Sequence, residues 1–89
     1  MSAFIITRIQ VGDYKTWRPM FDQDRPQARE RATVQRVFQD VDDPSHVFIF
    51  LEFASLDDAN EARRRLIESG VLDRFEDRHG PNVVQEAAS

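Results

Sequence analysis

The stretch Thr33–Leu56, TVQRVFQDVDDPSHVFIFLEFASL, decides how the rest of the chain folds. Asp42-Asp43-Pro44-Ser45 is turn chemistry, with short polar side chains that bond to nearby backbone and a proline that presets φ. Apolar segments flank it on both sides, so the stretch reads as a β-hairpin. Its second strand, Val47 to Phe53, holds six apolar residues out of seven, and only Glu52 interrupts them. A strand with one wet face alternates apolar and polar residues. A near-continuous apolar run predicts that both faces are covered.

Working outward, Phe4 to Val11 predicts a strand, because Phe4, Ile5, Ile6, Ile9 and Val11 are apolar and mostly β-branched. Gly12-Asp13 ends it, and Asp13 is a suitable N-cap. Tyr14, Trp17, Phe21 and Ala28 fall at helical spacing, which predicts a first helix from Tyr14 to Arg31. Pro19 and Pro26 lie inside that span, and a break is expected at Pro26. Beyond the hairpin, Ser55 with Asp58 three residues on resembles a capping box. A second helix from Leu56 to Ser69 would bury Leu56, Ala59, Ala62, Leu66 and Ile67, and Gly70 stops it. Val71 to Arg78 reads as a further turn offering Val71, Leu72 and Phe75. A last strand is expected at Val83 to Glu86, after His79-Gly80-Pro81-Asn82.

The order is β-α-β-β-α-β: one ferredoxin-like α+β domain over residues 1–89. Right-handed crossovers place both helices on one face of a four-stranded antiparallel sheet. The other face is left open, bearing Phe4, Ile6, Phe48 and Phe50. So large an apolar surface exceeds what a lone chain usually exposes, and a homodimer that closes two sheets into an α/β barrel is the economical solution.

Composition narrows the function. Eighty-nine residues bury only roughly 60–65% of the unfolded surface, so association would help a small core. Sixteen acidic against twelve basic side chains give a net charge of −4, which disfavours nucleic acid as a partner. The dense basic run Arg63-Arg64-Arg65 reads as the solvated, ion-paired face of the second helix. No cysteine is present, which excludes disulfides, thiolate metal sites and cysteine nucleophiles. The start MSAFIITRI lacks the basic and apolar regions of a signal peptide, and no segment approaches the ~20 apolar residues that span a bilayer. A cytoplasmic location without membrane contact is the expectation.

An apolar cavity against the open face is the expected ligand site, lined by Phe4, Ile6, Phe48 and Phe50, with Tyr14 and Trp17 at its entrance. Aromatic residues at helical spacing are more often core than pocket lining. Hairpin register decides which polar groups arrive there. If Phe38 opposes Phe50, Arg36 opposes Glu52 and both join Phe48 on the open face; a one-residue shift substitutes Gln35, Val37 and Gln39. The first register pairs opposite charges and is preferred. Arg8 follows Phe4 and Ile6 in period two, and either holds a polar substituent or ends an exposed strand. His46 and His79 titrate near neutrality and suit acid–base work. Arg8, Arg36, His46 and Glu52 are thus the catalytic candidates. Two histidines without convergent spacing argue for no metal site, and three scattered glycines for no phosphate loop.

Asp13-Tyr14-x-x-Trp17-Arg18-x-x-Phe21-Asp22 resembles the start of the first helix in small dimeric α/β-barrel proteins. Asp40-x-Asp42-Asp43-Pro44, Glu52-Phe53 and Gly80-Pro81 fit the same pattern. The chain is thereby similar to the antibiotic-biosynthesis monooxygenases, a group that includes quinol monooxygenases and polyketide-cyclase-like members. The resemblance implies a homodimer and, for hydroxylating members, cofactor-free chemistry on an aromatic substrate held by a pocket asparagine and tryptophan. The asparagines here, Asn60 and Asn82, fall outside the matched motifs. Two functions follow: a homodimer binding a hydrophobic small molecule between its sheets, or a cofactor-free monooxygenase or polyketide-cyclase-like enzyme acting on an aromatic one.

Overall fold

The computed structural model describes residues 2–24 and 27–88. Six elements follow one another: β1 (Ala3–Gln10), α1 (Tyr14–Asp22), β2 (Ala32–Gln39), β3 (His46–Phe53), α2 (Leu56–Ser69) and β4 (Arg78–Val84). The strands form one antiparallel sheet in the order β2-β3-β1-β4, with the hydrophobic core on the helix side. This is the ferredoxin-like α+β arrangement.

The hairpin sorts its side chains by strict alternation. Val47, Ile49, Leu51 and Phe53 are buried on the helix side, beside Ala3, Ile5 and Ile9 of β1. Phe48, Phe50 and Glu52 take the outer side, beside Phe4, Ile6 and Arg8. Phe4 and Phe50 pack ring to ring there at 5.3 Å, yet Ile6 stays 41% exposed and Phe38 50%. In the single chain the outer side is therefore an apolar surface open to water.

The observed register differs from the preferred one. Phe38 opposes Phe48, Arg36 opposes Phe50, and Val34 opposes Glu52. Arg36 and Glu52 thus share the outer side but are not cross-strand partners. The displacement is two residues, so the faces keep their occupants. A separate one-residue irregularity lies between Ala32 and Val34, at the start of β2.

Asp13 is extended, as an N-cap requires, but its carboxylate accepts from Thr16 Oγ1 at 2.7 Å and caps no backbone N–H. The first helix stops at Asp22, not Arg31, because the chain turns left-handed at Asp24 (φ 44°). The Phe21 carbonyl at the helix end accepts from the Asp24 amide at 3.1 Å and from Arg29 Nη2. The break expected at Pro26 lies outside the described residues. Ala28 is buried, though in the loop and not on a helix.

The second helix keeps its expected bounds. Ser55 accepts from the Asp58 amide at 3.1 Å, and Gly70 closes the helix in the left-handed conformation at φ 72°. Ala59 and Ala62 are buried and Leu66 packs partly against the core, but Leu56 and Ile67 are exposed. The basic run is a solvated face as expected. Arg64 bonds Glu61 and Glu68, and its bond to Glu61 pushes that carboxyl down to about 2.

The last strand starts five residues earlier than expected and ends at Val84 instead of Glu86. It takes in Gly80 and Pro81 because β1 and β4 shift register between Ile6 and Arg8. A Cβ on Gly80 would stand 2.6 Å from the Ile6 carbonyl oxygen, and φ there is +90°. Only glycine allows β4 to approach so closely.

Candidate functional site

Two features stand out, one on each side of the sheet. Beneath α1 lies a cavity of about 190 Å³. Its floor is the helix side of the sheet, at Thr7, Ile9, Ile49 and Leu51. Trp17 and Phe21 of α1 form the roof, and Leu66, Leu72 and Phe75 close the far wall. The cavity exists because the two helices sit differently. α2 comes close through Ala59 and Ala62. Among the described residues, α1 brings no α-carbon within 8 Å of a strand α-carbon and meets the core through aromatic side chains. Tyr14, Trp17 and Phe21 stack in sequence, with ring centroids 5.9 and 4.9 Å apart.

Few polar groups reach this space. Thr7 breaks the apolar phase Ala3, Ile5, Ile9 and is only 3% exposed. Arg29 is held at the rim by four contacts: its guanidinium lies 3.8 Å from the Phe21 ring centroid, Nε sits 3.4 Å from Asp24, Nη1 donates to Gln35 Oε1 at 3.1 Å, and Nη2 reaches the Phe21 carbonyl. Arg74 and Met20 stand at the mouth, where the cavity meets a shallower groove along Gly12, Asp13 and Thr16.

The second feature is a charged cluster continuing the outer side at one end of the sheet. Arg8 Nη2 donates to Asp77 Oδ1 at 2.9 Å, and Arg8 Nε is buried with no partner among the described residues. Asp77 Oδ2 lies 3.0 Å from His46 Nε2, while His46 Nδ1 lies 2.8 Å from Asp43 Oδ2. A carboxylate on each ring nitrogen calls for a donor at both, so this geometry favours the imidazolium. The Asp77 bond, then Asp43, raises the His46 pKa above its usual value. Asp77 in turn is lowered, first by His46 and then by Arg8, and Asp43 is lowered chiefly by the Ser45 hydroxyl. The cluster pins the hairpin turn and the start of β4 to β1.

The sequence-predicted residues divide between these features. Trp17 lines the cavity, and Tyr14 packs behind it with its hydroxyl accepting from Arg18 at 2.9 Å. Phe4, Ile6, Phe48 and Phe50 lie on the outer side, away from that cavity. Arg8 and His46 come together through Asp77, which sequence reasoning did not single out; it stands 31 positions from His46 and no spacing rule links them. Arg36 is exposed opposite Phe50, and Glu52 is half-buried between Phe4 and Val34. His79 is exposed opposite Arg8. Thr7 carried one usable signal, a polar residue in an apolar alternation. Among the described residues, no group of three or more potential metal ligands converges.

No protein-family model matches the chain, and comparison with curated proteins finds no match. Solved structures do share its fold. Rv0793 from Mycobacterium tuberculosis superposes with a TM-score of 0.69 at 13% identity, over 100% of this chain and 98% of that one. A candidate antibiotic biosynthesis monooxygenase from Nitrosomonas europaea also gives 0.69, at 14% identity over 96% and 89%. A NIPSNAP family protein from Agrobacterium tumefaciens gives 0.61, at 16% identity over 98% and 94%. These likenesses define the class of fold and agree with the resemblance read from the helix and hairpin motifs. Among the described residues, no helix is long and apolar enough to cross a membrane.

Proposed function

We propose that the chain binds a small hydrophobic molecule in the cavity beneath α1, and that two copies pair through their outer sheet sides. The observation carrying the first part is the cavity itself. It is larger than a cavity of about 150 Å³ lined by aliphatic and aromatic side chains, which suffices for benzene. Its lining fits the same kind of guest, with Trp17 and Phe21 offering flat aromatic surface and Thr7 a single hydroxyl in the floor. In this reading the ligand sits within each chain and not between the sheets. Trp17 remains a ligand contact, with Tyr14 supporting it, while Phe4, Ile6, Phe48 and Phe50 belong to the pairing surface, bordered by Arg8, Arg36, His46 and Glu52.

Trp17 is the chain's single tryptophan, so its emission reports on the cavity directly. Titration with benzyl alcohol should change that emission saturably. An unchanged spectrum from folded protein would remove the ligand site. For the pairing surface, light scattering should give twice the 10.4 kDa chain mass, and Phe50→Asp should give monomer or aggregate because its charge would be buried unpaired. A Phe50→Asp protein that stays a dimer with unchanged melting would refute the outer-side pairing.

A second reading, a cofactor-free monooxygenase or polyketide-cyclase-like enzyme, is favoured by one observation: the cavity holds a tryptophan where the resemblance calls for one. It requires oxygen uptake with a hydroquinone to exceed the uncatalysed rate and to fall in Trp17→Ala.

A further inference from the structure

We infer that the cavity is selective for an anionic single-ring arene, such as an arene carboxylate, and that Arg74 is the residue setting this preference. The inference rests on the cavity being the ligand site. Two arginines and one acid line the space, an excess of positive charge in a chain whose net charge is −4. The arginines are not equivalent. Arg29 has Asp24 within 3.4 Å and its side chain is 11% exposed, so its charge is already answered. Arg74 has no carboxylate within 4.0 Å among the described residues. Lys15, Arg36 and Arg63 share that lack of a partner, but only Arg74 lines the cavity.

Its position suits the role. The Arg74 guanidinium lies 5.0 Å from the Phe75 ring centroid, and Nη2 lies 3.3 Å from Met20 Sδ, a weak acceptor. Most of its donors are thus left for a guest. Asp13, the acid lining the outer groove, already accepts from Thr16. A ring seated against Trp17 and Phe21 would keep its apolar body off water and leave a carboxylate at the mouth. A planar carboxylate there matches the donor fork of a guanidinium. The same rim places Asp24 beside Arg29, which disfavours a second negative group deeper in.

The test compares benzoate with benzyl alcohol, which share one ring and differ in charge, by Trp17 fluorescence in wild type, Arg74→Gln and Arg74→Lys. Wild type should bind benzoate about ten-fold more tightly. Arg74→Gln should lose that margin while keeping its affinity for benzyl alcohol, and Arg74→Lys should restore part of it with a stronger salt dependence. Circular dichroism confirms that each variant is folded. Equal binding of both probes by wild type would overturn the inference and leave the cavity standing as a ligand site. Benzoate preference persisting in Arg74→Gln would overturn the assignment to Arg74. Failure of both probes to bind folded wild type would overturn the inference together with the reading beneath it.

Discussion

The two helices cover the same side of one sheet and do so in opposite ways. α2 has a side-chain cap at Ser55, a left-handed glycine stop at Gly70, and buried alanines that bring it against the strands. α1 has an Asp13 whose side chain caps nothing, Pro19 in its interior, and aromatic side chains that hold it away. Small residues allow close approach and leave no space. Large planar ones act as spacers when their neighbours do not fill every gap. Rigidity and a ligand-sized space are thus divided between the helices.

The strongest attempt to break this comparison is to make one kind of substitution under each helix. Ala59→Leu should cost about 1–3 kcal/mol, because α2 has no room for the added atoms. Leu72→Phe, beside the cavity, should stay within about 1 kcal/mol of wild type, since the larger ring has free volume to occupy. Urea midpoints measure both, and equal losses would mean that the two helices pack alike. A smaller contrast concerns the caps. Ser55→Ala should cost about 1 kcal/mol through the lost bond to the Asp58 amide. Asp13→Ala should cost less, because only the Thr16 contact disappears.

The smallest effect belongs to neither helix and serves as their control. His46 is raised above 6.5, so the stability it contributes is present below pH 6.5 and fades as pH climbs through the raised value. Asp43 and Asp77 are lowered below 3.8, so theirs is present above pH 3.8 and fades as pH falls through the lowered values. Stability from the cluster should therefore peak between 3.8 and 6.5. His46→Gln should flatten the alkaline decline, whereas Ala59→Leu should shift the whole profile without changing its shape. Thermal melts across pH 3 to 9 would show this.

What was legible in the sequence follows the same division. The bounds of α2 were readable because Ser55 and Gly70 are local signals whose chemistry acts within one turn. The hairpin's faces were readable because alternation fixes them, even with the strands paired two residues away from the preferred register. The end of α1 was not readable: Ala28 keeps the helical phase of Trp17 and Phe21, yet the backbone leaves the helix at Asp24. The cavity beneath α1 was not readable for a related reason. Its location depends on how far α1 stands off, a distance set by packing between segments and not by any pattern within one. Asp77 joins His46 only because β4 begins at Arg78, earlier than its apolar residues suggest.

The strand order has a final consequence, for solubility. β2 and β4 are the free borders of the sheet, and unpaired borders invite further strands and fibres. β4 meets that hazard with Pro81, which lacks an amide donor, and with the bend its register shift imposes beside β1. β2 presents Gln35, Arg36 and Gln39 along an exposed stretch, where a buried charge would resist docking. Lateral growth is discouraged at both margins, so the sheet can display an apolar face without offering a template for amyloid-like extension.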